Sequence, residues 1–493
     1  MNEPIPDPRY WNADMAPVSA EGRRWGMRDM AVLWVSMAAC IPTYMLASSL
    51  ISEGMNWWQA VLTIFLGNMV VLVPMVLNAH AGTKYGIPFP VYCRSSFGLR
   101  GANIPALLRA LVACGWFGIQ TWIGGAAVYT IVVVLAPEVA TQAVIPALGI
   151  TAAQFGCFLA FWAVNVFVIV RGIESIRILL NIKAPLLIAL GLLLLGWAYF
   201  AAGGFGEMLS QPSAFGPGGK KEGLFWVAFA AGLTANVSFW ATLSLNIPDF
   251  SRYARSQRDQ VIGQIAGLPT TMALYAFIGV AVTSAAFVIY PSEDRSKLWD
   301  PVFLLNKFDN KLVLIFSMLA ICLATLATNI AANVVSPAND FAHVWPKRIG
   351  FRTGGLITAI IGVLIMPWKL LADPSGYIFT WLLGVSVLLG SVGGVLIADY
   401  IVIRRTRLDL AGLYRREGPY WYASGFNPVA LVALIAGIAP CVPGFLAAVK
   451  LAEVDSIWST IYTYAWFVSF GVSFMVYVLG MSFGKNRPHM NTD

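Results

Sequence analysis

Charged side chains are scarce in this sequence. Asp, Glu, Lys and Arg make up 11% of its 493 residues, whereas they make up about a quarter of a typical soluble domain. Apolar residues reach 58%, and the mean hydropathy is +0.72. The charge-poor runs are longer than the core of a soluble domain requires. The composition therefore excludes a soluble globular protein and indicates a membrane protein that crosses the bilayer many times.

The residues that build metal centres and disulfide frameworks are also few. The chain has 3 histidines and 6 cysteines. The cysteines are scattered, mostly within apolar runs, and their spacing fits neither a zinc site nor a disulfide framework. The net charge of +8 does not indicate a nucleic-acid partner, because charge placement in a membrane protein is first explained by topology.

Motifs typical of enzymes and ATP-driven pumps are absent from the sequence. There is no G-x-S-x-G elbow, no H-E-x-x-H pair and no P-loop, so we expect neither an enzyme nor an ATPase. Transport by this chain would be driven by an ion gradient or would run downhill. No carboxylate is expected at mid-span, where it would suggest a proton relay. The nearest candidates lie at predicted cytoplasmic ends of spans: Glu174, Asp249, Asp340 and Asp399.

Twelve charge-poor runs are long enough to span a bilayer, which takes about 20 residues. Of the 32 Lys and Arg residues, 24 fall on the side of the N-terminus if these runs alternate in direction. The positive-inside rule then predicts a cell-membrane protein, in the plasma or inner membrane, with both termini cytoplasmic. The predicted spans lie near 30–52, 57–79, 110–136, 151–170, 178–202, 224–247, 261–290, 312–338, 353–373, 376–401, 427–449 and 457–482.

The first and sixth spans contain interruptions and lie five spans apart. Pro42 falls within the first span, and Trp240, Asn246 and Pro248 punctuate the sixth. Interrupted helices at matching positions of two halves are typical of secondary transporters with inverted repeats. The alternative is that Pro42 only kinks a helix. The expected division is a cytoplasmic tail 1–28, repeats 29–202 and 223–402, two further spans 427–482 and a cytoplasmic tail 483–493. A short external helix within 291–311 is a further expectation.

The third span contains the stretch 113–125, ACGWFGIQTWIGG, in which Trp116 and Gln120 share one helical face. An indole face and an amide could stack on and hydrogen-bond a planar polar ring. The alternative is a helix-packing face, since the four glycines of this stretch allow close approach and one amide can join two helices. In the eighth span, Thr325, Asn329 and Asn333 are spaced by four and form one polar stripe.

Several segments resemble the nucleobase–cation symporter-1 family, whose members carry purines, pyrimidines, allantoin and hydantoins. The segments around 41–44 and 240–249 resemble the allantoin-permease branch most. The resemblance implies an all-α leucine-transporter-type fold, with two inverted five-helix repeats and two C-terminal helices. The resembling segments are 82–90 (GTKYGIPFP), 94–98 (RSSFG), 116–122 (WFGIQTW), 246–249 (NIPD), 329–337 (NIAANVVSP), 366–368 (MPW) and 398–405 (ADYIVIRR).

The resemblance also implies a substrate site. Trp116 would stack on one face of the ring, and Trp240 would cover the other. Gln120 and Asn333 would hydrogen-bond two polar edges. Cys40 stands where relatives place a side-chain amide near the substrate, and a thiol is a much weaker hydrogen-bonding group.

A sodium site is implied in the same way. Its ligands would be the backbone carbonyls of Ser36, Ala39 and Ala324 and the hydroxyl of Thr328. The sodium-coupled pattern has a second hydroxyl at position 327, but this chain has Ala327. The sequence therefore leaves open whether Na⁺ or H⁺ is the coupling ion.

The function expected from the sequence is import of a nucleobase or related planar nitrogen heterocycle, such as allantoin or hydantoin, by an ion-driven symporter. The alternative is a membrane-embedded receptor or a passive channel for the same ligands. No cofactor is expected apart from a coupling ion. The expected partners are the small heterocycle and the lipid bilayer. The oligomeric state is left open, and the sequence is compatible with a monomer.

Overall fold

The computed structural model describes residues 7–11, 15–171, 173–345, 347–372 and 374–483, without the side chains of 173–185 and 351. The predicted C-terminal tail from 484 onward and part of the predicted N-terminal tail lie outside this range. The α-helices are α1 Met27–Ala38, α2 Ile41–Ser52, α3 Trp57–Tyr85, α4 Phe89–Phe97, α5 Asn103–Leu135, α6 Ala152–Arg171, α7 Ile173–Ala201, α8 Phe205–Leu209, α9 Phe225–Phe239, α10 Ala241–Asn246, α11 Pro248–Ser251, α12 Gln257–Ile289, α13 Pro301–Leu305, α14 Lys311–Asn333, α15 Val335–Val344, α16 Phe351–Leu364, α17 Pro367–Leu370, α18 Leu383–Ile397, α19 Pro428–Ile438, α20 Val442–Ala448, α21 Ser456–Thr463 and α22 Ala465–Phe483.

The remaining regular elements are short. π-helical turns Gly376–Leu382 and Ala398–Ile403 flank α18 and continue its helical path. Strands β1 (Val144–Ile145) and β2 (Ile150–Thr151) form an antiparallel hairpin between α5 and α6. The short helix predicted within 291–311 is present as α13, and its external position stays a prediction.

Within the described residues, eight helical segments are long and apolar enough to cross a membrane. A ninth span is the bent pair α1 and α2, and three shorter apolar helices are present at 186–201, 225–239 and 352–364. Each of the twelve predicted spans therefore has a helical counterpart. The eight long segments are Trp57–Tyr85, Asn103–Leu135, Ala152–Arg171, Gln257–Ile289, Lys311–Val344, Gly376–Ile403, Pro428–Ala448 and Ala465–Phe483.

The first span is broken between α1 and α2, which meet at a bend of 59°. Cys40, at the break, has an extended backbone with φ −151° and ψ 160°. Pro42 occupies the first turn of α2, where its missing N–H would have no helical partner in any case. Pro42 therefore begins a new helix rather than kinking a continuous one, and the interpretation as a simple kink is wrong.

The sixth span is broken at Trp240, which separates α9 from α10 with φ −101° and ψ 3°. A second interruption follows at Ile247, and Pro248 then begins α11. The predicted interruption of this span is confirmed, and its position falls on the residue expected to contact the substrate. Both breaks leave backbone groups that a continuous helix would have paired within itself.

Helix α5 is packed tightly on both sides because it carries glycines. A Cβ added at Gly118 would lie 2.4 Å from the carbonyl oxygen of Gly362, and one added at Gly125 would lie 2.6 Å from Cα of Phe158. No real Cβ tolerates such contacts, so the predicted packing role of these glycines is confirmed. This close packing holds the face that carries Trp116 and Gln120 against the centre of the bundle.

The start of α5 differs from the prediction. The helix begins at Asn103 rather than near 110, so Arg109 lies within the helix and is 1% exposed. The predicted span 110–136 leaves Arg109 just outside the membrane-spanning segment. A buried arginine is accommodated here because it has an acidic partner on α15, as described below.

Candidate substrate-binding site

A cavity lies where the two helix breaks face α5 and α14. The residues that line it are Met37, Cys40, Pro42, Arg109, Ala113, Trp116, Gln120, Phe239, Trp240, Thr242, Leu243, Thr328, Ala332 and Asn333.

The five residues predicted to bind substrate all lie on the wall of this one cavity. Cys40 comes from the first break and Trp240 from the second. Trp116 and Gln120 come from α5, and Asn333 from the end of α14. The structure thus brings these residues together from four segments, and a role for each in substrate binding stays a prediction.

Edge-to-face contacts between aromatic rings hold Trp116 in place. Its ring lies 5.1 Å from that of Phe239 and 5.7 Å from that of Trp381, at interplanar angles of 74° and 82°. Its Nε1 is buried and has no hydrogen-bond partner among the described residues. A fixed indole in such a place offers a flat face for stacking and an N–H that no described residue uses.

Trp240 is held in the same manner and contacts the same Phe239 ring. Its ring centroid lies 5.0 Å from that of Phe239 and 5.3 Å from that of Trp34, both nearly perpendicular. The Nε1 of Trp240 is also buried without a partner in the described part of the chain. Two rigid indoles therefore border the cavity, each with an unused donor.

Gln120 supplies the amide on the same face as Trp116. Its Oε1 is buried, and no described group donates a hydrogen bond to it. Leaving a buried acceptor unpaired costs about 1–3 kcal/mol, so the site is suited to a molecule that brings an N–H to this position.

Asn333 is connected to the polar stripe predicted on the eighth span. Its Nδ2 donates to Oδ1 of Asn329, one turn earlier, at 3.1 Å. Thr325, the third member of the stripe, does not line the cavity, and its hydroxyl is buried without a partner among the described residues. The stripe therefore divides into a pair of coupled amides and a separate hydroxyl.

A buried ion pair at the edge of the cavity was not anticipated from the sequence. Nη1 of Arg109 lies 3.0 Å from Oδ2 of Asp340, and the two side chains are 1% and 0% exposed. With the amide of Asn246 oriented to match its neighbours, its oxygen accepts from Nη2 of Arg109 at 3.1 Å and from the hydroxyl of Ser336 at 2.8 Å. Opposite charges near the ends of two spans could have suggested such a pair.

The predicted sodium ligands lie in two segments near the cavity. Ser36 is in the last turn of α1, and Ala39 follows in the break, where ψ is 87° and its carbonyl leaves the helical direction. On α14, the hydroxyl of Thr328 donates to the carbonyl of Ala324 at 2.8 Å, which leaves the hydroxyl oxygen able to coordinate a cation. Ala327 is 1% exposed and contributes only a methyl group. Oxygen is the ligand type that a hard cation prefers, but these residues offer one hydroxyl fewer than the pattern, and a sodium site here stays a prediction.

A family model described as "Permease for cytosine/purines, uracil, thiamine, allantoin" matches residues 17–469. The chain belongs to this permease family. It is 44% identical over 479 residues to "Purine-uracil permease NCS1" of Arabidopsis thaliana, covering 97% of this chain and 78% of the relative. It is 39% identical over 477 residues to "Allantoin permease" of Bacillus subtilis (strain 168), covering 96% of this chain and 93% of the relative.

Solved structures of Mhp1, a nucleobase-cation-symport-1 family transporter, resemble this permease along nearly its whole length. An inward-facing Mhp1 structure matches with a TM-score of 0.76 and 24% identity, covering 98% of both chains. A closed Mhp1 structure with bromovinylhydantoin bound matches with a TM-score of 0.73 and 25% identity, covering 97% of this chain and 98% of that one. The predicted leucine-transporter-type fold and the family are confirmed. The permease is a multi-pass membrane transporter and not an enzyme.

Proposed function

We propose that this permease is a secondary active transporter that imports a nucleobase or a related planar nitrogen heterocycle, such as allantoin or hydantoin, by alternating access. The observation that carries the proposal is the combination of unused polar atoms at one cavity. Trp116, Trp240 and Gln120 line it, and their indole N–H groups and Oε1 are buried without protein partners among the described residues. A planar ring with N–H and carbonyl edges matches both the flat faces and the polar atoms.

Two further observations support the ligand class. The relatives are named for purines, uracil and allantoin, and the Mhp1 structure holds a hydantoin. A cavity that pairs polar edges rejects analogues lacking them, because its buried groups are then left unpaired. The proposal thus predicts strong selection among rings of similar size by their hydrogen-bonding pattern.

The position of the cavity supports alternating access. It lies between two broken helices and two continuous ones, the arrangement in which one bundle can rock against the other around a central ligand. The proposed driving force is a Na⁺ or H⁺ gradient. Na⁺ would be held by the carbonyls of Ser36, Ala39 and Ala324 and by the hydroxyl of Thr328. The proposed orientation places both termini in the cytoplasm.

Uptake into proteoliposomes tests this function. The panel comprises hydantoin, allantoin, uracil, cytosine, adenine, guanine and uric acid, with Na⁺ and pH gradients imposed separately. We expect concentrative, saturable uptake of at least one ring and counterflow of the same ring without a gradient. A passive channel would show neither accumulation nor counterflow, and a receptor would bind a ring without taking it up.

Substitutions of the cavity wall sharpen this test. Trp116→Ala and Gln120→Ala should each reduce uptake at least about tenfold, the effect of losing one buried polar or stacking contact. Trp226→Ala is the matched control, because Trp226 lies on α9 and is 71% exposed on the outer surface. Normal uptake by both cavity variants would disprove the assignment of the site.

A further inference from the structure

The side-chain amide of Asn329 has only one possible orientation. Its Nδ2 faces three acceptors: the carbonyl of Phe117 at 3.2 Å, Oγ1 of Thr121 at 3.1 Å and Oδ1 of Asn165 at 3.1 Å. The Phe117 carbonyl carries no hydrogen, and the hydroxyl hydrogen of Thr121 is already donated to that carbonyl at 2.7 Å. If the Asn329 amide were turned over, its oxygen would face the oxygens of Phe117 and Asn165, and the Thr121 hydroxyl could donate to it only by giving up its bond to the Phe117 carbonyl.

The third acceptor is fixed by its own backbone contact. Nδ2 of Asn165 donates to the carbonyl of Phe161 at 2.9 Å, so the oxygen of Asn165 is the atom that faces Asn329. Asn165 and Asn329 are both completely buried, and no solvent competes for these bonds. Two backbone carbonyls therefore determine the orientation of the whole cluster.

The orientation of Asn329 determines that of Asn333. With its nitrogen engaged, Asn329 presents its Oδ1 to Asn333, and Nδ2 of Asn333 donates to it at 3.1 Å. Asn333 must donate here, because two amide oxygens would otherwise face each other. Its own Oδ1 has no donor among the described residues, and the residue lies on the cavity wall. The cavity therefore meets a fixed acceptor at this position.

Gln120 differs from Asn333 in this respect. Its Oε1 has no partner in the described part of the chain, and no fixed backbone carbonyl or amide sets its polarity. An amide held in this way can turn over to accept from one ligand and donate to another. The cavity thus combines one amide of fixed polarity with one of adjustable polarity.

We propose that Asn329 is a positioning residue that holds Asn333 as a hydrogen-bond acceptor, so that the permease selects rings with an N–H at the Asn333 edge. This inference rests on the proposed transport function and narrows its substrate class. The preferred ligands are lactam, imide or ureide rings, in which a ring N–H stands beside a carbonyl. A ring with only a bare nitrogen or an N-alkyl group at that edge is rejected.

Methylated ligands test the inference in the unaltered protein. Uracil, hydantoin and allantoin are the probes, each compared with its singly N-methylated forms by competition against uptake of the parent ring. For the ring that is taken up, methylation of one particular nitrogen should weaken binding roughly 10- to 100-fold. Methylation of another nitrogen should weaken binding less. Binding of every methylated form within about threefold of the parent would overturn the proposal.

Variants test the positioning role. Asn329→Leu frees the amide of Asn333 to turn over. The affinity for the parent ring, divided by the affinity for its disfavoured N-methyl form, should then fall roughly tenfold. Asn329→Ser is a second variant in case the leucine prevents folding. Thr121→Val is the matched control, because Asn329 keeps the acceptors on Phe117 and Asn165. The affinity ratio of this variant should equal that of the unaltered protein.

The outcomes separate this inference from the proposed function. A purely structural role for Asn329 would lower uptake of all rings equally and leave the affinity ratio unchanged, which would overturn the positioning role. If the unaltered protein takes up no ring of the panel, the proposed function itself fails. Uptake of a ring together with an unchanged ratio in both Asn329 variants leaves the function standing and removes only this inference.

Discussion

Arg109 and Asp340 form an ion pair of 3.0 Å that joins α5 to α15, and both side chains are almost completely buried. Arg109 also lines the cavity, so this contact connects the wall of the site to the helix that follows Asn333. Nε of Arg109 and Oδ1 of Asp340 have no partners within the described chain. Each charge therefore depends strongly on the other for compensation.

Breaking this pair on one side should destabilise the permease. Asp340→Asn or Arg109→Gln leaves one buried charge without its partner, and we expect each to lower the free energy of unfolding by about 3–5 kcal/mol. The double variant Arg109→Gln/Asp340→Asn removes both charges and should recover part of this loss. Unfolding of the purified protein in detergent measures all three.

The ion pair between Lys221 and Glu53 is the control for this prediction. Its atoms are 2.9 Å apart, but the two side chains are 43% and 25% exposed. Breaking an exposed pair changes stability by about 0–1 kcal/mol. If Asp340→Asn has no larger effect than Glu53→Gln, the buried pair does not stabilise the fold.

Cys40 should report on ligand occupancy. It lies at the helix break and lines the cavity, which none of the other cysteines among the described residues does. A small methanethiosulfonate reagent should therefore inhibit uptake by modifying Cys40. A transported ring at about ten times its dissociation constant should slow this inhibition roughly tenfold, because the occupied site is shielded. The rate of inhibition with and without ligand gives the measurement.

Cys40→Ser provides the control for the labelling experiment. This variant should keep its uptake activity after treatment with the reagent. Continued inhibition of Cys40→Ser would mean that another cysteine is modified. Equal rates with and without a transported ring would place Cys40 outside the ligand-binding region.

The features predicted correctly from the sequence depend on short spacings. Pro42 and Trp240 indicated the broken spans, and the spacing of four between Trp116 and Gln120 placed both on one face. The partner of Asn329 on α6 could not be predicted, because Asn165 is 164 residues away and no local pattern relates them. Spacing along one helix is a local property, whereas contacts between helices depend on how the helices pack.

Arg109 illustrates why the rest of the site was missed. An arginine at the edge of an apolar run has the same pattern whether it marks the cytoplasmic side or enters the bundle. Its partner Asp340 is 231 residues further along the chain. Only the packing of α5 against α15 distinguishes the two cases, and the predicted start of the third span was therefore too late.

Ala327→Ser should increase the dependence of uptake on Na⁺. The substitution adds a hydroxyl next to Thr328, at the position where the sodium-coupled pattern has one. We expect the Na⁺ concentration for half-maximal uptake to fall roughly tenfold, which equals about 1.4 kcal/mol of binding free energy. Initial rates of uptake in proteoliposomes across a range of Na⁺ concentrations give this value.

Thr328→Val is the companion variant for the sodium test, because it removes the remaining hydroxyl with little change of shape. It should abolish any Na⁺ dependence in the unaltered protein. If neither substitution alters the response to Na⁺ while a pH gradient alone drives uptake, the Thr328 hydroxyl does not bind the coupling ion, and H⁺ drives transport.

Asp300 should make the stability of the permease depend on pH. Its carboxylate accepts the backbone N–H of Val302 at 2.8 Å and caps α13. Burial raises its pKa from 3.8 to about 6, although the Val302 N–H acts in the opposite direction. The folded protein therefore binds a proton more tightly than the unfolded chain. Stability from this group is fully present below pH 4 and is lost as the pH rises to about 6.

Asp300→Asn tests the direction of this pH dependence, because the amide oxygen still caps α13 but carries no charge. Relative to the unaltered protein, the variant should be about 1–3 kcal/mol more stable at pH 7 and equally stable at pH 4. Asp294→Asn is the control of opposite sign, since the Ser296 backbone N–H holds the pKa of Asp294 below its ordinary value, and the loss of charge should destabilise at pH 7. The measurement is the unfolding temperature of each variant and of the unaltered protein in detergent between pH 4 and 7. A difference between Asp300→Asn and the unaltered protein that does not change with pH would show that burial does not penalise the Asp300 charge.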